Sequence, residues 1–226
     1  MLTLLHIDSS CDLTDSRSRK LTYAFAEAWR SSGADTTVLY RDLHQDPLPH
    51  LPDSWLHWPA RLRPEIASPP VAAERLQTEL ITELVSADVV LIGAPMYNYS
   101  LPSTLKAWLD YIHVPGVTAA YDGNEMPMAG RTAVVINTRG AIYDVGTPSE
   151  NWDHGTPVLD LVLGTGLGMT MEVIIASRTL ADFVPMLSDE RARGEEEFES
   201  ALQRLTELAT ATIETLRAME GMDTHG

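Results

Sequence analysis

Residues 87–110, ADVVLIGAPMYNYSLPSTLKAWLD, constrain the fold more than any other stretch. Val89, Val90, Leu91 and Ile92 are apolar without interruption and mostly β-branched. A strand with one wet face alternates, so an unbroken run of this length reads as a strand covered on both faces, as in a parallel sheet. Gly93, Ala94 and Pro95 end the run. The polar aromatic segment Met96, Tyr97, Asn98, Tyr99 follows at the carboxyl edge of the sheet, where open α/β sheets bind ligands. Pro102 and Ser103 suit the first turn of a helix, and Leu105, Trp108, Leu109 and Ile112 supply its apolar face. The loop offers flat rings, a two-way amide and free backbone groups. Those features suit a flat ligand edged with heteroatoms; an ordinary surface loop would carry them equally well.

The rest of the chain repeats the alternation. Leu2–Ile7, Thr36–Tyr40, Thr132–Ile136 and Met169–Ala176 read as further strands. Between them the 3.6-residue period predicts a helix with Leu21, Ala24, Phe25, Ala28 and Trp29 on one face, a second over 73–85, and a third over 157–163 that ends in GTGLG. A last helix is expected over about 189–218, with Phe198, Leu202, Leu205, Ala209 and Ile213 on one face. Five strands alternating with helices imply a doubly wound α/β fold, a parallel sheet with helices on both faces. The 226 residues suit a single domain, 1–226. Residues 43–70 break the pattern, being rich in proline and holding Trp55 and Trp58. They form either a functional lid or a surface wrap fixed by prolines.

The totals narrow the partners. A formal net charge of −16 disfavours nucleic acid, which needs a basic face. No apolar run reaches the length of a membrane span, and MLTLLHIDSS lacks the regions of a signal peptide. The single cysteine, Cys11, excludes an internal disulfide and suits a cytoplasmic location. It has no adjacent His or Lys, so it reads as a small loop residue and not a nucleophile. The histidines (His6, His44, His50, His57, His113, His154, His225) show no metal-ligand spacing, and His6 reads as a packed or edge-facing strand residue and not a ligand. There is no GxSxG elbow.

Three loops at strand ends can carry chemistry, and in a doubly wound sheet they share one edge: 9–18, 96–99 and 137–141. In the first, Ser10, Ser16 and Ser18 offer hydroxyls, the helix start offers free N–H groups and the positive end of the helix dipole, and Arg17 can add charge. Without GK[ST] or GxGxxG, a phosphate monoester fits better than a triphosphate or a dinucleotide. Ser16 taken singly reads as a plain helix cap, but the clustering of hydroxyls favours the ligand reading. Gly164, Gly166 and Gly168 follow a helix, not a strand, and read as a helix-to-strand turn.

Taken together these segments resemble the bacterial FMN-dependent NADH:quinone oxidoreductase and azoreductase family. The resemblance covers nearly the whole chain. It rests on the strand followed by Ser9, Ser10 and SRS, on RDLHQDPLPHL, on APMYNYSLPSTLKAWLDYI, on PGVTAAYDGN and on TRGA. It implies a flavodoxin-like five-stranded sheet, bound FMN, NADH or NADPH as electron donor, a quinone or azo substrate, and a homodimer. By the same resemblance Ser10, Ser16, Arg17 and Ser18 would hold the phosphate. Pro95, Met96, Tyr97, Asn98 and Tyr99 would run along the flavin ring, and Thr138, Arg139, Gly140 and Ala141 would close its other side. No protein acid or base is implied, because the flavin carries the reaction.

The chain departs from the family at Ala119, where an aromatic is expected although Tyr121 remains, and at Thr165, where a pocket phenylalanine is expected. These positions imply a roomier, less aromatic substrate pocket. A non-enzymatic flavodoxin-type electron carrier is the competing reading, for which the acidic surface would be apt.

Overall fold

The computed structural model describes residues 1–123 and 125–223. Asn124, which ends the PGVTAAYDGN segment, and His225 lie outside the described residues. The strands are β1 (Leu2–Asp8), β2 (Thr36–Asp42), β3 (Val89–Gly93), β4 (Thr132–Thr138) and β5 (Thr170–Ala176). They form one sheet in the order β2-β1-β3-β4-β5. Every pairing is parallel, with Leu4 opposite Val89, Val89 opposite Thr132 and Thr132 opposite Thr170. The helices are α1 (Arg17–Ser31), α2 (Val71–Ser86), α3 (Ser103–Ile112), α4 (Gly155–Leu159) and α5 (Arg191–Asp223).

The buried β3 run explains this layout. Successive side chains on a strand point to opposite faces, so VVLI needs a helix layer on each. Val90 and Ile92 join Leu5, Ile7 and Val135 beneath α2 and α3, against Leu80, Leu84, Trp108 and Ile112. Val89 and Leu91 join Leu2, Leu4, Val134 and Ile136 beneath α1 and α5, against Leu21, Phe25, Trp29, Leu205 and Ile213. The edge strands β2 and β5 are correspondingly less covered, with Tyr40 and Ile175 exposed.

Two expectations change. The helix expected over 157–163 starts two residues earlier and does not stop before its glycines. From Asp160 to Gly166 it widens into π-helical turns, and only Gly168, at φ +73°, makes the turn into β5. Gly166 is small for a packing reason, because a Cβ there would sit 2.8 Å from the His113 Nε2. Pro102 precedes α3 at its N-cap and does not lie within the first turn. Residues 43–70 lie against α2 and α3. They contain short 3₁₀ turns at Ser54–His57 and Ala60–Leu62. Leu43 and Leu56 are fully buried, and the Gln77 side-chain amide donates to the carbonyls of Leu56 (2.9 Å) and Tyr111 (3.0 Å).

Candidate functional site

The strand order places a topological switch between β1 and β3. The chain leaves β1 through α1 on one face of the sheet and leaves β3 through α3 on the other. A crevice therefore opens between the two strand ends, the place where such sheets take ligands. Ser9 Oγ donates to the Gly93 carbonyl at 2.6 Å and pins the first loop across this crevice. Gly93 has to be glycine, because a Cβ would lie 2.7 Å from Asp8 Oδ1 and 3.1 Å from Thr22 Cγ2.

The segment after β3 is a tight two-residue turn. Tyr97 and Ser100 exchange both backbone hydrogen bonds (2.9 and 3.1 Å), and the residues between them are left-handed, Asn98 at φ +48° and Tyr99 at φ +69°. Positive φ at both central positions marks a type I′ turn. Asparagine tolerates that geometry, whereas a tyrosine there stores backbone strain. The turn carries Tyr97 back over the first loop. Its hydroxyl accepts from the Cys11 N–H at 3.0 Å and lies 3.2 Å from Ser10 Oγ and 3.1 Å from Cys11 Sγ. Burial, then the contact with Cys11, raises the Tyr97 phenol above its ordinary value. The phenol thus keeps its proton and can donate as well as accept.

Ser16 does act as a helix cap, its Oγ accepting from the Arg19 N–H at 3.2 Å and sitting 3.0 Å from Ser18 Oγ. The first N–H groups of a helix have no intrahelical partner, so this end faces the crevice as a donor cluster. Asp12 closes the loop before it by accepting from the N–H groups of Thr14 and Asp15, each at 2.9 Å. Arg17 points away from this loop. Its guanidinium donates to Glu195 (2.9 Å) and to the Gly194 carbonyl (3.2 Å) and lies 5.0 Å from the Phe198 ring centre.

A cavity of about 400 Å³ is lined by Ser10, Asp12, Asp15, Ser16, Arg17 and Lys20 from the first loop and α1, and by Thr179, Leu180, Asp182, Phe183, Glu195 and Phe198 from the segment after β5 and from α5. A second cavity of about 410 Å³ adjoins it, lined by Cys11, Met96, Asn98 and Gly140. Pro95, Tyr97, Thr138, Thr179 and Leu180 border both, so the two are halves of one cleft. The cleft thus gathers Ser10, Ser16, Arg17, Pro95, Met96, Tyr97, Asn98, Thr138 and Gly140.

The remaining expected residues lie elsewhere. Ser18 is buried beneath the first loop. Tyr99 turns edge-on to Trp152, ring centres 5.4 Å apart. The Arg139 Nε donates to Ser177 Oγ at 3.0 Å, and the Ala141 carbonyl accepts from the Arg178 N–H. Ala119 is buried in the core, Tyr121 meets Trp58 edge-on at 5.8 Å, and Thr165 is exposed on the π-helical segment. Among the described residues none of these borders the cleft.

Sequence reasoning missed Thr179 and Leu180. Applying the strand-end rule to β5, as to β1, β3 and β4, would have found them. It also missed Arg178, whose fully buried guanidinium pairs with Asp144, with Glu190 at 2.6 Å and with Glu197 at 2.5 Å. This clamp ties the β5 end to the start of α5 and so holds the far wall of the cleft.

The fold and the cleft at its switch point define a flavodoxin-like protein. The model of the flavodoxin-like fold family matches residues 2–207. The chain is 54% identical over 206 residues to an FMN-dependent NADH:quinone oxidoreductase of Kineococcus radiotolerans, covering 91% of this chain and 97% of the relative. It is 41% identical over 221 residues to one of Streptomyces coelicolor, covering 93% and 98%. Among solved structures, an azoreductase from Bacillus anthracis superposes with a TM-score of 0.77 at 19% identity, covering 92% of this chain and 99% of that one. An FMN-dependent NADH-azoreductase of the same species, solved with FMN, gives 0.74 at 20% identity, covering 92% and 98%. These two show the common fold. The chain belongs to the family of FMN-dependent NADH:quinone oxidoreductases.

Proposed function

We propose that this chain is an FMN-dependent NAD(P)H oxidoreductase that reduces quinones and azo compounds, with its described residues forming one flavodoxin-like domain. One observation carries the reading. A hydroxyl-rich helix start and a strained aromatic turn meet across the β1–β3 switch point and border one continuous cleft. The donor set fits a phosphate monoester at one end and a flat ring at the other. Ser10, Ser16 and the first N–H groups of α1 hold the phosphate. Pro95, Met96, Tyr97 and Asn98 run along one edge of the ring, and Thr138 and Gly140 lie on the other.

FMN, when bound, would supply the two-electron redox chemistry between nicotinamide and acceptor. The chain's own residues position and exclude water. Tyr97 stays protonated and locks the phosphate loop to the ring-side turn. Leu180 and Phe183 add apolar surface to the cleft. No side chain bordering the cleft has to carry a proton for the reading to work. The names of the relatives favour NADH as donor and quinones as acceptors.

No described helix is long and apolar enough to cross a membrane. A cytoplasmic homodimer is part of the proposal. The half-exposed rings of Trp58, Tyr99, Tyr121 and Trp152 give a second copy apolar surface to cover.

An absorbance spectrum of the purified protein after FMN addition, followed by anaerobic NADH or NADPH, tests the function. Bleaching of bound flavin and its reoxidation by a quinone are expected. Failure to bind flavin refutes the reading. Bound flavin that neither nucleotide bleaches would favour an electron carrier.

A further inference from the structure

A buried polar cluster lies directly beneath the first loop, and the function above does not use it. Asp8 at the end of β1 and Asp42 at the end of β2 are both buried. The Arg19 guanidinium joins them from α1. Its NH1 donates to Asp42 Oδ2 at 2.6 Å and its NH2 to Asp42 Oδ1 at 2.9 Å, a bidentate pair. The same NH2 donates to the Ser10 carbonyl at 2.7 Å, and NH1 lies 3.6 Å from Asp8. Asp42 is fixed in turn by the N–H groups of His44 and Gln45 (3.0 Å each) and by the Gln45 side chain (2.8 Å). Asp8 accepts from Thr22 at 2.9 Å and from Tyr40 at 3.1 Å.

The two arginines at this helix start therefore point in different directions. Arg17 reaches out to α5, whereas Arg19 reaches in under the loop. Arg19 is shielded from the cleft and grips the main chain of Ser10, whose hydroxyl borders the cleft. We propose that Arg19 is the positioning residue of the phosphate site: its planar fork, held by Asp42, sets the Ser10 loop in the conformation that receives a phosphate monoester. This rests on the FMN reading above. Lysine cannot replace the fork, because one ammonium cannot span two carboxylate oxygens and a carbonyl in a plane.

The test compares FMN with riboflavin, which has the same ring and no phosphate. Dissociation constants for both are measured by fluorescence quenching for the wild type and for Arg19→Lys, Arg19→Met and Asp42→Asn. All three variants are expected to bind FMN at least tenfold more weakly while riboflavin affinity changes less than threefold. Arg19→Met tests loss of the fork, Arg19→Lys its shape, and Asp42→Asn its anchor. If Arg19→Lys keeps the wild-type ratio of the two constants, charge alone suffices and the proposal is overturned. Equal weakening of both ligands overturns it too, because that reports general loosening of the fold. A variant that fails to fold leaves the decision to the other two. A wild type that binds neither ligand would refute the FMN reading itself, an outcome visible before any variant is made.

Discussion

Replacing Arg178 with methionine tests how the far wall of the cleft is held. The side chain is fully buried between Asp144, Glu190 and Glu197. Its backbone is left-handed at φ +65°, a strained state that persists where surrounding contacts over-determine it. Removing one partner of a buried ion pair costs roughly 3–5 kcal/mol. The three carboxylates are 26%, 30% and 28% exposed, so water partly resolvates them. Arg193 also stays 2.9 Å from Asp144. These features put the loss at the lower end, about 3 kcal/mol at pH 7. For a chain of this size that is a fall in Tm of roughly 6–12 °C.

The pH dependence follows from Asp144. Its hydrogen bond to Arg178 holds the carboxyl below the usual carboxylate range. A carboxylate depressed by folding stabilises fully above its unfolded pKa, about 3.9. That contribution is lost as pH falls through the lower folded value. Urea unfolding of wild type and Arg178→Met should therefore show a constant gap from pH 8 to about 5 and a narrowing gap below about pH 4. A gap under about 1 kcal/mol at pH 7, the ordinary range of an exposed ion pair, or one that widens with acid, would refute the clamp.

Other substitutions probe the crevice. Gly93→Ala should cost about 1–3 kcal/mol in urea unfolding and weaken FMN binding, because the new Cβ meets Asp8 and Thr22. Tyr97→Phe removes the partner of the Cys11 N–H and should cost about 1 kcal/mol. It should also raise the FMN dissociation constant several-fold, read by the same fluorescence titration. FMN at a hundredfold its dissociation constant should add about 2.7 kcal/mol to stability. That is a rise in Tm of roughly 5–11 °C in a thermal melt, and riboflavin at the same concentration should give less.

Much of the sheet was legible because burial on both faces leaves a local trace. Val89–Ile92 reads as a central strand from its own residues, and the structure pairs it with strands on either side. The Met96–Tyr99 segment stood out as a candidate ligand loop because a strand end and a polar aromatic cluster coincide there, with a surface loop equally open; the structure sets Met96, Tyr97 and Asn98 on the cleft and turns Tyr99 to Trp152. The π-helical widening over Asp160–Gly166 was not legible, because glycine signals both a turn and a close approach, and here Gly166 packs against His113. Nor could Ala119, Tyr121 and Thr165 be placed. A match to a motif names a position in a family and says nothing of the direction in which the side chain points in this chain.

The amino-acid order alone pointed to the five strands, most of the helices, their layered α/β arrangement and the sheet edge as the candidate place for a ligand. These follow from periodicity and from breakers such as Pro95, which act over a few residues. Tertiary structure decided the strand order, and with it the crevice between β1 and β3. It also decided the partners of the long charged side chains. Arg17 and Arg19 stand two apart on one helix, yet one pairs with Glu195 on α5 and the other with Asp42 on β2. The partners lie 178 and 23 residues along the chain from their arginines. A long flexible side chain takes its direction from whichever charge the fold brings within reach, and that charge leaves no mark on the sequence around the arginine.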